Sequence, residues 1–172
     1  MENNSMYDKI IIKEALPSDS AILTDISFAS KRHWDYPDEY FDIWKKELTI
    51  TESYILNNTV YISYFENIIC GYYSMVIVRK DTKYGKVIVK KGTWLEHLFI
   101  RPDFIKKGIG RQLVWHAISI ARELNTDKLL LFSDPFANGF YEKMGAVYLY
   151  ESPSSIEGRS VSVYQIEVPD KL

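Results

Sequence analysis

Apolar residues along the chain recur with two spacings, and the switches between them mark the elements. Residues 9–16 form a β-type run centred on Ile10, Ile11 and Ile12, which Pro17, Ser18 and Asp19 break, with Asp19 placed to cap a helix. That helix sets Ile22, Ile26 and Ala29 on one face and reaches about Arg32. The stretch 33–38 is too rich in Pro and Asp to continue it, and Phe41, Trp44 and Leu48 then space out a second short helix ending near Thr49. A β-rich run ends at Phe65, Glu66-Asn67 reads as a two-residue hairpin turn, and 68–78 returns as a long strand in which Gly71 permits a bulge or kink. Residues 79–92 gather lysines around Val87, Ile88 and Val89, the pattern of an exposed hairpin whose charges are solvated or, alternatively, meet a phosphate.

The most patterned stretch follows. Residues 94–100 are apolar except for Glu96 and His97, and Pro102 closes the run as strands are usually closed. From Ile109 to about Leu124, Leu113, Ala117 and Ala121 recur at helical spacing with Val114 and Ile118 beside them. Residues 128–132 are a short apolar strand, expected to lie parallel to 94–100 across that helix. Ser133-Asp134-Pro135 starts another helix over 136–144, which Gly145 ends, and strands over 146–150 and 160–168 complete the chain. Strands and helices mixed in this order define an α/β (α+β) class. With no repeat, low-complexity tract or linker, 1–172 reads as a single domain.

Between strand and helix lies Lys106-Lys107-Gly108-Ile109-Gly110-Arg111. Glycines let a ligand approach the backbone, the first helical N–H groups lack intrahelical partners, and the flanking cations share their sign. Together they make an anion site suited to a pyrophosphate; the alternative is an ordinary tight turn with solvated lysines. A Walker A loop is absent, and a dinucleotide fingerprint fails because Leu113 stands where its third small residue belongs.

Composition narrows the classes further. The 47% apolar and 26% charged content is that of a globular chain, and a net charge of -2 gives no general pull toward nucleic acid or an anionic membrane. No apolar run is long enough for a membrane span, and residues 1–5 lack the features of a signal peptide. Cys70 is the sole cysteine, an inert core thiol by its apolar neighbours, so neither a disulfide framework nor a cysteine-built metal site is expected. A cytoplasmic protein without metal is the natural reading.

Gly108 and Gly110 fall on the two small positions of the motif Gln/Arg-x-x-Gly-x-Gly/Ala, after a strand and opening a helix, and here the chain resembles the GNAT superfamily of N-acetyltransferases. Ile105 departs from that motif's first position, and Lys106, Lys107 and Arg111 offer compensating charge. A second motif, Asn-x-x-Ala-x-x-Phe/Leu-Tyr-Glu-Lys-x-Gly-Phe, is matched at Ala137, Tyr141, Glu142, Lys143 and Gly145, with Asp134 and Ala146 as departures. The resemblance spans essentially the whole chain. It implies a mixed, mostly antiparallel sheet of about seven strands flanked by about four helices, and acetyl-CoA as cosubstrate.

By the same resemblance, Lys106, Lys107, Gly108, Ile109, Gly110 and Arg111 would hold the pyrophosphate. Leu98, Phe99 and Ile100 would hold the pantetheine and thioester, with backbone N–H groups of Leu98 and Phe99 polarising the carbonyl, and Asp134 and Phe140 would line the cosubstrate. Acyl transfer needs a neutral amine and a protonated leaving thiol. Glu96 is placed to serve as base, directly or through water, since desolvation in an apolar strand raises a carboxylate's proton affinity. His97 competes for the role, although strict alternation would send the two to opposite faces. Tyr141 matches the family tyrosine that protonates the thiolate. The loop carrying Trp34 and Tyr36 would wall the acceptor site or else fill core, and Arg159 would meet an acceptor carboxylate or phosphate or else pair with Glu157. A small-molecule primary amine is the expected acceptor. A peptide acceptor, an acyl-CoA sensor without turnover, and a homodimer through the C-terminal strand stay open.

Overall fold

A computed structural model of the protein describes residues 9–170. A seven-stranded sheet runs in the order β1 (Ile10–Glu14), β2 (Thr59–Phe65), β3 (Ile68–Val78), β6 (Gly92–Ile100), β7 (Lys128–Ser133), β9 (Ser160–Glu167), β8 (Val147–Pro153). Every pairing is antiparallel except β6 with β7. The lysine-rich segment forms a separate ribbon, β4 (Thr82–Tyr84) with β5 (Val87–Val89), and Lys90 pairs with Asp81 at 2.9 Å across its base. The turn before β3 is as expected: Glu66 and Asn67 have φ of 48° and 69°, the left-handed pair that a tight hairpin twist requires.

The helices are α1 (Ser20–Arg32), α2 (Asp38–Leu48), α3 (Glu52–Asn57), α4 (Ile109–Glu123) and α5 (Asn138–Lys143). One sheet face is covered by α4, which buries Leu113, Val114, Ala117 and Ala121 against Tyr73, Met75, Leu95, Leu129 and Leu131. Deleting one of these side chains, as in Leu113→Ala, costs about 2–5 kcal/mol because the packed surroundings cannot close the void. The opposite face is covered by α1 and α3, which bring Leu23, Ile26 and Ile55 onto Val60, Ile62 and Tyr72. Phe41, Trp44 and Leu48 of α2 pack with Ile156 and reach Phe99.

Three local expectations change. The short α3 lies where only a β run was read; the Thr51 hydroxyl accepts the Tyr54 N–H at 3.0 Å and starts it, but six residues are too few to show a helical period. Asp19 precedes α1, yet its side chain accepts the Leu16 N–H at 2.7 Å instead of capping the helix. The expected helix over 136–144 begins with a 3-10 turn, Pro135–Ala137, and only then becomes α5, ended by Gly145 at φ 86°. The segment judged for a signal peptide lies outside the described residues.

Gly71 has a definite steric task. A Cβ there would sit 2.7 Å from the Phe99 carbonyl oxygen and 2.8 Å from Ile100 Cδ1, so only glycine lets β3 come this close to β6.

Candidate active site

The site begins with a fault in β6. Ser74 pairs with His97 and Met75 with Leu95, which leaves Glu96 as an extra residue, a β-bulge. The bulge shifts the alternation by one. Leu95 and Leu98 both reach the α4 face, while His97 is driven onto the α3 side with Glu96. The expectation that Glu96 and His97 face opposite ways therefore fails, since the Tyr54 hydroxyl touches both.

The bulge also marks where β6 leaves β7. Those strands pair only at Thr93–Leu129 and Trp94–Leu130, and beyond that they diverge. Polar backbone groups of β6 face this gap, and the ladder on the other side says which. The Arg101 N–H bonds to the Cys70 carbonyl at 2.8 Å. Alternation in an antiparallel pair then assigns the Phe99 amide to β3 and turns those of Leu98 and Ile100 toward the gap. Of the two amides expected to polarise a carbonyl, Leu98 keeps that orientation and Phe99 does not; the Phe99 ring packs instead against α2 and Tyr72.

At the far end of β6, a 3-10 turn (Pro102–Phe104) leads to Lys106 at φ 63° and to Gly108 at φ 79°, the N-cap of α4. Two left-handed residues within three positions curl the backbone just before the free N–H groups of the helix. Lys106 and Lys107 are exposed, and the Lys107 ammonium lies 5.0 Å from the Phe104 ring centre. Ile109 is buried, and Arg111 lies over Trp115 at 4.9 Å. At Gly110 a Cβ would stand 3.2 Å from the Phe140 ring, so its smallness also lets α5 pack on α4. Phe140 thereby holds Tyr141, which is buried in the α4-side core. Burial, with Asp134 as a lesser cause, pushes the Tyr141 hydroxyl well above its ordinary value, so it carries its proton throughout the neutral range.

On the other side of the gap, His97 is enclosed and fixed. Its Nε2 lies 3.0 Å from the Glu47 carbonyl, which can only accept, so Nε2 carries the proton and Nδ1 accepts from the Ser74 hydroxyl at 2.8 Å. Burial holds its imidazole below the ordinary histidine value despite the nearby Glu96 charge. Both of its ring nitrogens are thus engaged. Glu96 differs: its side chain is 43% exposed, so the desolvation expected of an apolar strand is not found, and the Tyr54 hydroxyl orients its carboxylate. Burial and the Glu96 charge keep the Tyr54 hydroxyl protonated, hence a donor.

Residues expected to bind different molecules meet in one cluster. Asp134, just past β7, accepts from the Lys31 ammonium at 2.8 Å and from the Tyr36 hydroxyl at 2.7 Å, and Arg159 Nη2 lies 3.4 Å away. Arg159 also donates to the Tyr36 oxygen at 2.8 Å, whereas Glu157 faces Lys86 at 3.8 Å, so the alternative Glu157–Arg159 pairing is not formed. Burial raises the proton affinity of Asp134, but the Lys31 charge and the hydrogen bonds from Lys31, Tyr36 and the Phe136 amide outweigh it and hold the carboxyl below its ordinary value. Lys31 and Arg159 lie over the Trp44 ring at 4.5 and 5.5 Å. Outside this cluster Trp34 stacks on Phe136, centroids 4.9 Å apart, and both rings are substantially exposed. Lys31, Tyr54 and Phe136 were missed from sequence. Only the final turn of α1 and the loop beside Asp134 could have hinted at the first and last.

The Acetyltransferase (GNAT) family model matches residues 23–146, and the chain belongs to that family. It is 27% identical over 125 residues to the peptidyl-lysine N-acetyltransferase YjaB of Salmonella typhimurium, covering 70% of this chain and 82% of that one. Among solved structures it resembles a GCN5-related N-acetyltransferase from Rhodopseudomonas palustris (TM-score 0.72, 18% identity, 91% and 94% of the two chains). It also resembles the PaiA N-acetyltransferase of Thermoplasma acidophilum in complex with coenzyme A (TM-score 0.70, 16% identity, 92% and 98%). The seven-stranded, mostly antiparallel sheet with five helices agrees with these neighbours. No helix among the described residues is long and apolar enough to cross a membrane.

Proposed function

We propose that the chain, acting as one domain, transfers an acetyl group from acetyl-CoA to a primary amine, with Glu96 as base and Tyr141 as acid. The observation that carries this reading is the gap between β6 and β7, which opens at the Glu96 bulge and is flanked on the α4 side by Tyr141. Backbone N–H groups at Gly108, Ile109 and Gly110, with Lys106, Lys107 and Arg111 nearby, suit the pyrophosphate. The Leu98 and Ile100 amides suit the pantetheine and the thioester carbonyl.

In the reaction, the amine nitrogen attacks the thioester carbon after its proton passes to Glu96, directly or through water. The carbon–sulfur bond then breaks, and the thiolate takes the Tyr141 proton. General base and acid steps of this kind contribute about 10²–10⁴-fold in rate each. A small-molecule amine is the first acceptor class. A peptide lysine is the second, favoured by what the Salmonella relative is named for and by the exposed Trp34–Phe136 stack beside the site.

The test is acetyl-CoA calorimetry on the wild type and Gly108→Glu, then a thiol-release screen across small amines and lysine peptides. A side chain and a negative charge at a left-handed N-cap should abolish binding. Binding without release from any amine would favour an acyl-CoA sensor, and no wild-type binding would remove the reading altogether.

A further inference from the structure

We infer that the cluster of Lys31, Tyr36, Asp134 and Arg159 is the acceptor-recognition site, and that the preferred acceptor is an amine that also carries a carboxylate. The inference rests on the acetyl-transfer reading for its location but not for its chemistry.

Two cations and one carboxylate meet here, and all three side chains are largely covered, with 16–17% exposed. The cluster thus holds one positive charge in excess, in surroundings where an unbalanced charge is costly. The aromatic faces of Tyr36 and Trp44 offset part of that cost but supply no counter-charge. Arg159 is also only partly used. Among the described residues its guanidinium donates through Nη2 alone, to Tyr36 and Asp134, and its Nε and Nη1 are not sealed from solvent. Each of those two nitrogens can still donate an N–H to a carboxylate oxygen. One carboxylate would balance the single excess charge, whereas a phosphate dianion would overshoot it.

Position agrees with chemistry. Asp134 directly follows β7, the strand bounding the gap, while Tyr36 and Trp44 share a packed cluster with Phe99 of β6. The cluster therefore spans from one lip of the gap to the other, on the sheet face where Tyr54 orients Glu96. The Asp134 carboxylate keeps both cations in place, so the site is already formed before an acceptor arrives.

The test uses matched pairs that differ only in a carboxylate: β-alanine with ethylamine, γ-aminobutyrate with propylamine, and ε-aminocaproate with pentylamine. A second arm uses lysine peptides flanked by Asp or by Asn, which separates a free acceptor from an acidic peptide. For at least one pair, wild-type kcat/KM should favour the carboxylate member by about tenfold or more, mainly through KM. Arg159→Gln should collapse that ratio, and Arg159→Lys should restore part of it. Equal kcat/KM within every pair would overturn the inference, and this wild-type comparison needs no variant to fold. If no amine is turned over, the acetyl-transfer reading fails. Calorimetry of the same pairs on CoA-saturated protein then decides the carboxylate preference, with equal affinity overturning it.

Discussion

The two flanks of the β6–β7 gap are built differently. Most of the α4 flank comes from contiguous sequence: β6, the turn, the Gly108 cap and the helix follow one another within residues 92–123, and α5 adds Tyr141 from beyond β7. The α1–α3 flank is assembled from distant segments. Tyr54 reaches Glu96 across 42 positions, Lys31 reaches Asp134 across 103, and Arg159 reaches Tyr36 across 123. Under the proposed function, a cosubstrate common to the family would be served by the first kind of construction, which a short motif can specify. Discrimination among acceptors would fall to the second, where any one segment can change without disturbing the others.

The comparison can be broken at Glu96. Glu96→Gln keeps the shape and removes the proposed base, so thiol release should fall about 10²–10⁴-fold at neutral pH. Loss of less than threefold would give the proton to water or another group. A smaller effect, on stability, comes from Gly71→Ala. A methyl 2.7 Å from the Phe99 carbonyl oxygen must push β3 from β6, costing about 1–3 kcal/mol, to be read in chemical denaturation.

The pH dependence of stability sharpens the contrast further. Burial depresses the folded-state proton affinity of His97 and of His116 below the ordinary 6.5. The unfolded chain therefore binds more protons as pH falls below about 6.5, and stability present above that value is lost. Asp134, depressed below 3.8, adds its loss only at more acid pH. Thermal midpoints should decline between those two values, with a shallower slope for His97→Gln; His116 keeps the slope from vanishing. An unchanged slope would contradict the enclosed, neutral imidazole. The smallest effect belongs to Lys106→Gln with Lys107→Gln. Both side chains are exposed, so acetyl-CoA affinity should weaken by about threefold and lose part of its salt dependence.

What could be read from the sequence follows the same division. The glycine loop, the α4 stripe, the hairpin at Glu66-Asn67 and the second motif were legible because each is set by residues close in the chain. The parallel pairing of β6 with β7 across α4 followed from the crossover rule. Alternation misled at Glu96 and His97 because a bulge leaves no compositional mark when both neighbours of the extra residue are ordinary strand formers. Asp134 was legible as a start signal before Pro135, but its partners were not. Arg159 offered Glu157 as a near candidate, and only the folded chain shows that Tyr36 and Asp134 take it instead. Gly110 reads in sequence as room for a ligand, and in the fold it also makes room for Phe140. A glycine looks alike in sequence whatever it makes room for.

The central claim is that Glu96 belongs to the acceptor flank and is separable from cosubstrate binding. The most direct measurement is calorimetric titration of acetyl-CoA into Glu96→Gln beside the wild type. The account predicts a Kd within about threefold of wild type, although turnover is lost. A Kd weakened by about tenfold or more would place Glu96 on the cosubstrate side and contradict the division of the gap into two independent flanks.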